Sequence, residues 1–415
     1  MITVYPPLGS SGNTPMNVAF PATAIDAFGR LRTSLPYTLF DSQQRYEVDG
    51  QFDTSTANGG STTFLPNEST LRLDVTTDSD SSVIRQTYRV FPYQPGKSLL
   101  IMATFTMAAG KTNLQQRVGY FNSSNGVFLQ QKDGVNSFII RSFTSGAADD
   151  SRIAIQSSWN GDKLDGTGLS GVTLDLTKTQ IFWCDMEWLG VGNVRCGFII
   201  NGQFVVCHTF QNSNFQTAVY MTTAILPIRY EITNTGTTDS VSSMKQICST
   251  VLSEGGYEEY SYGNVARRNT LLTNIGLTFK PIVSIRMPTG RTDCVILPSR
   301  VQVLPITSQS YEVQLVKNAT LTGASFTTMP STNNVEYDVT ATAVSGGRVV
   351  QTDYVSASGS GGLQPLVDPA GYNWGLQLGA SIDGVSDVYT VQIKTISSGT
   401  PTGDCVGSLS FWDLT

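Results

Sequence analysis

Histidine is nearly missing from this chain: one residue, His208, in 415. A catalytic triad or an imidazole-based metal site would have to use it, so most histidine chemistry is excluded at the outset. Charge is scarce as well, at 14% of residues against the usual quarter, with a net charge of −6. Without a long basic run, a surface that tracks nucleic-acid phosphates is not expected. No apolar run reaches the roughly 18 residues a membrane helix needs, so no membrane insertion is expected. Met1 leads into Ile-Thr-Val-Tyr-Pro-Pro with neither a basic nor an apolar leader segment, which predicts synthesis in a cytoplasm without a secretion signal. The six cysteines, Cys184, Cys196, Cys207, Cys248, Cys294 and Cys405, form no C-x-x-C pair. Their wide spacing predicts buried free thiols rather than a disulfide framework or a zinc site. Helical periodicity is also rare. Ser240–Leu252 tempts a helical reading, but its β-branched content favours a strand or a crossover. Gln43–Phe52 has no apolar stripe.

What fills the chain instead is Ser, Thr, Asn and Gly around short apolar runs, the pattern of strands and tight turns. A hydrophobic fraction of 40% is ample for real cores, and the length suits two domains. Arg117–Phe121 and Val127–Gln131 flank Asn-Ser-Ser-Asn-Gly and read as a hairpin, with Ser137–Phe143 as a third strand. Gln180–Trp188 alternates from Cys184 onward, Val194–Ile200 returns, and Asn201-Gly202 marks a type I′ turn into Gln203–Phe210. Antiparallel meanders of this kind predict an all-β fold, a jelly-roll-like β-sandwich.

Four segments are expected: an extended, proline-bearing arm over 1–36, a jelly-roll-like sandwich over 37–256, a linker over 257–270, and a smaller β-sandwich over 271–415. Arg267-Arg268 falls in that linker and reads as a solvated pair. Second-domain strands are expected at Pro281–Arg286, Cys294–Leu297, Val301–Leu304, Tyr311–Val316, Tyr337–Val344 and Val388–Ile393. Prolines 298, 305 and 330 should mark strand ends or edges. Ser358-Gly-Ser-Gly-Gly362 reads as a flexible loop. No repeat at 20–50 residues is visible.

Candidate chemistry competes with ordinary structure at each position. Cys207 and His208 are neighbours on one strand and point to opposite faces, a poor dyad. Asp185 and Glu187, flanked by Trp183 and Trp188, share an expected strand face. They suggest glycan contact, but the opposing carboxylate strand a glycosidase needs is not apparent. Asp78-Ser-Asp80 and Asn160-Gly-Asp162-Lys-Leu-Asp165-Gly166 invite a calcium reading. Their spacing misses the EF-hand pattern, and turn chemistry explains both. The Gly-Lys pairs at 96–97 and 110–111 do not complete a phosphate-binding loop. No catalytic, cofactor or metal residue is therefore assigned.

One stretch is unusually distinctive: Asp26–Tyr46, DAFGRLRTSLPYTLFDSQQRY. It closely resembles a family of structural proteins from tailed bacteriophages, especially marine and cyanobacterial ones. The likeness extends through Val83–Lys97, Trp159–Gly168, Trp188–Asn193, Leu226–Asn234 and Gln246–Gly256, and into 274–360, including Pro281–Arg286 and Ser345-Gly-Gly. The resemblance implies a non-enzymatic virion component, made in a bacterial cytoplasm and partnered by other virion proteins and its own copies. It leaves the position open among head surface, neck, tail and fibre. A receptor-binding module that holds host-surface glycan is the alternative, and glycan depolymerisation a third reading that lacks the expected β-helix repeats.

Overall fold

A computed structural model describes residues 2–4, 16–18, 35–258, 262–356, 374–396 and 402–415. Most of the arm, the start of the distinctive Asp26–Tyr46 stretch and the glycine loop at 358–362 lie outside these residues. Within the arm, Ile2–Val4 pairs with Met16–Val18.

The first sandwich faces a seven-stranded sheet against an eight-stranded one. In order, the first sheet is Asp149–Ile155, Val135–Ser142, Gly126–Lys132, Leu114–Phe121, Ile228–Asn234, Ser82–Thr87 and Phe52–Ala57. The second is Gln203–Phe210, Val194–Ile200, Gln180–Met186, Ser98–Thr106, Ser242–Glu254, Thr70–Val75 and Ser61–Leu65. Pro36–Gln43 also pairs with Ser242–Glu254. All these ladders are antiparallel. Chain-distant strands lie side by side, as where Leu114–Phe121 meets Ile228–Asn234, and this gives the jelly-roll character.

Alternation writes the layers. In Ser98–Thr106, Leu99, Ile101, Ala103 and Phe105 turn inward while their neighbours stay half-buried. They meet Val118, Leu129, Ile140 and Ile232 of the facing sheet in one core. An aromatic stack sits at one end, with Phe138 lying on Trp159 at 4.4 Å and Phe182 and Phe198 beside them.

The second sandwich sets a three-stranded sheet (Tyr262–Ile275, Gly403–Asp413, Ile296–Pro305) against a six-stranded one. The latter runs Thr327–Thr328, Glu336–Asp338, Lys280–Arg286, Val388–Thr395, Ser310–Lys317, Arg348–Ser356. Its core gathers Ile282, Ile285, Tyr311, Leu315, Val391, Leu409 and Phe411.

The expected linker needs correction. Residues 262–270 belong to the 14-residue strand Tyr262–Ile275, which pairs along Gly403–Asp413. Its alternation (Asn264 and Ala266 buried, Val265 and Arg267 exposed) is diluted by polar residues, which hid it in the sequence. Arg267 is exposed, as expected. Arg268 instead donates from Nη1 to the Val339 carbonyl at 2.5 Å, tying this strand to the facing sheet.

Two further expectations shift. Tyr337–Val344 is not one strand, because the buried Asp338 carboxylate accepts the amides of Ser325, Thr340 and Ala341 and bends the chain. Cys294–Leu297 and Val301–Leu304 merge into the edge strand Ile296–Pro305. Pro298 sits there beside a bulge, where a missing donor is tolerated. Ser240–Leu252 is strand, as Ser242–Glu254.

Candidate functional site

The residues with the most chemical promise in the sequence are engaged in structural roles. Cys207 is fully buried and its thiol is pushed up to about 12 by burial, whereas His208 lies half-buried on the other face. The His208 Nδ1 accepts the Asn160 amide at 3.4 Å, and its ring meets Phe210 edge-on. Burial, with Arg152 nearby, lowers the imidazole pKa. Asn160 then brackets Thr209 through both side-chain atoms, so the pair acts as a strand-to-loop clasp.

Asp185 is buried and held in a two-point ion pair by Arg195. The strand ends at Met186, which leaves Glu187 exposed in the following turn. The two carboxylates therefore do not share a strand face, contrary to expectation. Trp183 is buried under Phe204, and Trp188 packs edge-on against Tyr93. Neither indole forms an exposed platform.

The aspartate loops are turns. Asp162 receives the amides of Leu164 and Ser170, at 2.9 and 2.7 Å, one on each oxygen. Its desolvation would raise the pKa, but these amides outweigh it and the net shift is downward. Asp165 accepts the amide and hydroxyl of Thr167. Asp80 stands in the left-handed region in an exposed turn beside Asp78. Among the described residues no three His, Cys, Asp or Glu side chains are grouped to hold a metal. The cysteines are all unpaired; five are buried and Cys248 is half-exposed. Lys111 donates to the Ser240 carbonyl and hydroxyl.

One cluster has no sequence signature. Phe121, Phe128 and Ile139 point away from the main core, on the outer face of the seven-stranded sheet, yet are buried. The guanidiniums of Arg117, Arg141 and Arg229 lie over these rings at 5.2–5.9 Å. Arg141 grips Asp150 through Nε and Nη2 at 2.8 and 2.7 Å, while Arg117 and Arg229 share Glu231. Each cation has its carboxylate, so this lattice seals the face. Long-range pairings such as Arg117 with Glu231 have no spacing rule that would reveal them.

The junction between the sandwiches is where the chain builds a concave site. The segment 374–387 straddles it. Ala380 donates its amide to the Tyr88 carbonyl, Gln377 reaches the Val90 carbonyl, and Ile382 donates to Asp53. Arg89 returns a bond to the Trp374 carbonyl while lying over Phe40. In the same segment Leu378 bonds Ile296 and packs in the second core. Gly379 is required by close approach: a Cβ there would sit 2.8 Å from Tyr88 and from the Asp387 carboxylate.

Beside this strap lies a cleft of about 590 Å³ lined by Tyr93, Lys97, Ile225, Tyr257 and Glu258, with Leu414 approaching from the second sandwich. Gln94-Pro95-Gly96-Lys97 is a tight turn, closed by the Lys97 amide on the Gln94 carbonyl at 3.1 Å. Gly96 sits at φ +86°, the third position of a type II turn. Gln94 then clasps Glu258 through its backbone amide and carbonyl. Tyr257 is set between Trp374, edge-on at 5.0 Å, and Tyr37 at 6.0 Å.

Sheet order and junction together define an all-β protein of two coupled sandwiches, the first jelly-roll-like. No protein-family model matches the sequence, and a search of curated proteins finds no match. Among solved structures, the carbohydrate-recognition domain of Emp47p aligns at 9% identity and TM-score 0.33, covering 58% of this chain and 100% of that domain. A β-glucanase of Bacillus licheniformis aligns at 11% identity and TM-score 0.31, over 54% of this chain and 98% of the enzyme. A Shewanella oneidensis protein of unknown function gives 11% identity and TM-score 0.35, over 58% and 97%. Likeness at this level carries no argument about function.

Proposed function

We propose that this chain is a non-enzymatic structural component of a tailed-phage virion, assembling with copies of itself and with other particle proteins. The resemblance of Asp26–Tyr46 and the blocks after it suggests the setting. The observation that carries the structural role is the junction. Backbone hydrogen bonds run from Tyr88 through Ala380 to the second core, so force applied to one sandwich is passed to the other without a flexible tether. The non-enzymatic part is supported by the engagement of His208 and Asp185 in local structural contacts. The test is to trace this chain in a reconstruction of purified particles and in their protein content. Its absence from particles, while the infected cell contains it, would overturn the proposal.

A further inference from the structure

We propose that the Asn160–His208 contact is a pH-sensitive latch: protonation of His208 releases Asn160–Asp162 from the edge of the eight-stranded sheet. The chain has a single imidazole, the side chain whose ordinary titration falls between about pH 5 and 8. The latch goes beyond the particle role and does not depend on it.

The geometry fixes which form of His208 the fold accepts. The Asn160 amide donates to Nδ1 at 3.4 Å, so that nitrogen carries a lone pair and no proton. An imidazolium has N–H at both ring positions and would meet the Asn160 amide donor to donor. Three consecutive loop residues hold the edge strand Gln203–Phe210 at this place. Asn160 bonds the Thr209 carbonyl and amide through its side chain, at 3.0 and 2.8 Å. Gly161 donates to the Cys207 carbonyl at 2.8 Å and Asp162 to the Val206 carbonyl at 3.0 Å. His208 lies inside this row of contacts, so its change of charge falls on the seam itself.

The surroundings oppose the charged form. Burial, then the nearby Arg152 of Asp149–Ile155, keeps the imidazole pKa below its ordinary 6.5. The Arg152 guanidinium is fixed by the Gln211 carbonyl at 2.8 Å and by the Phe210 ring beneath it. From the loop, the Asp162 carboxylate is committed to the amides of Leu164 and Ser170, one on each oxygen. Cys196, opposite His208 on Val194–Ile200, and Cys207 beside it stay un-ionised, because burial raises both thiols. With the folded value below the unfolded one, the latch contributes fully above about pH 6.5 and is lost as pH falls through the folded value. Trp159 and Leu164 flank the released residues and stay in the first core, which confines the opening to Asn160–Asp162.

The experiment is an NMR titration of the full chain labelled at histidine Cε1, where one imidazole gives one signal. Hydrogen exchange, corrected for intrinsic rates, is then measured on either side of the midpoint found. The expected midpoint lies below 6.5. Protection at Asn160 and Thr209 should drop about fivefold on its acid side, the worth of one net hydrogen bond, while Leu114–Phe121 keeps its protection. His208→Asn, which retains an acceptor but does not titrate, should abolish that drop. If His208→Asn does not fold, Arg152→Met decides, and its midpoint should move up. A native midpoint at or above 6.5 overturns the proposal, as does unchanged protection at Asn160 and Thr209. So does an equal drop in His208→Asn, an unmoved midpoint in Arg152→Met, or a loss shared by Leu114–Phe121.

Discussion

Asp150 shows how a single side chain couples this fold to pH. Desolvation pushes its pKa up, but the two bonds from Arg141 and the charges of Arg141, Arg117 and Lys132 outweigh it, and the folded value is lowered. In the unfolded chain an aspartate titrates near 3.9, about the ordinary value. The contribution of Asp150 is therefore fully present above that pH and is lost as pH falls through the lowered folded value. Asp150→Asn should lower stability at neutral pH. Its denaturation curve should converge with that of the native chain in acid, once the pH falls below the lowered folded value. A gap of constant size from neutral pH into acid would reject the ion-pair explanation. Asp185 is a different case: it is buried, but its partner Arg195 is about half exposed. Asp185→Ala should cost about 1 kcal/mol, since solvent screens the cation, and Glu187→Gln should cost nothing measurable in urea unfolding. His208→Ala should only loosen the Asn160 clasp, visible as faster amide exchange at Thr209.

At the scale of elements, tight turns set the register on which the sheets depend. Asn201 and Gly202 both stand at positive φ, 52° and 76°, joining Val194–Ile200 to Gln203–Phe210. A β-branched residue at the second position is forced into the left-handed region at a cost of about 1–2 kcal/mol. Gly202→Val should therefore lower the urea midpoint, whereas Gly202→Asn should be nearly neutral. Equal effects would mean that the loop relaxes away from the type I′ geometry. This turn was legible from the dipeptide alone, as was the meander around it. The strand Tyr262–Ile275 was not. Its exposed positions carry Val265 and Leu271 and its buried ones include Asn264, so local polarity gives the wrong face. Pairing with the distant Gly403–Asp413 supplies what the local pattern lacks.

For the whole molecule, the strap predicts that the sandwiches unfold together. Calorimetry of the native chain should give one transition. Gly379→Leu, which drives a side chain into Tyr88 and Asp387 without entering either core, should split it into two. Two transitions already present in the native chain would show that the junction is too weak to couple them. The same frame predicts that trypsin spares the Arg267–Arg268 bond in the folded protein, because it lies inside a paired strand. Rapid cleavage there would mean that the strand frays from the sheet.

The sequence by itself determined the all-β class, the hairpins and the local roles of the aspartate loops, because alternation, turn dipeptides and side-chain-to-backbone bonds act over a few residues. It also showed that His208 and Cys207 face apart, a consequence of strand geometry alone. Tertiary structure decided the rest. The arginine lattice joins residues as far apart as Arg117 and Glu231, and the strap brings Ala380 to Tyr88. The cleft brings Leu414 of the second sandwich beside Tyr93 and Lys97 of the first. These sites arise where separately folded layers meet, and no local pattern records which surfaces will touch.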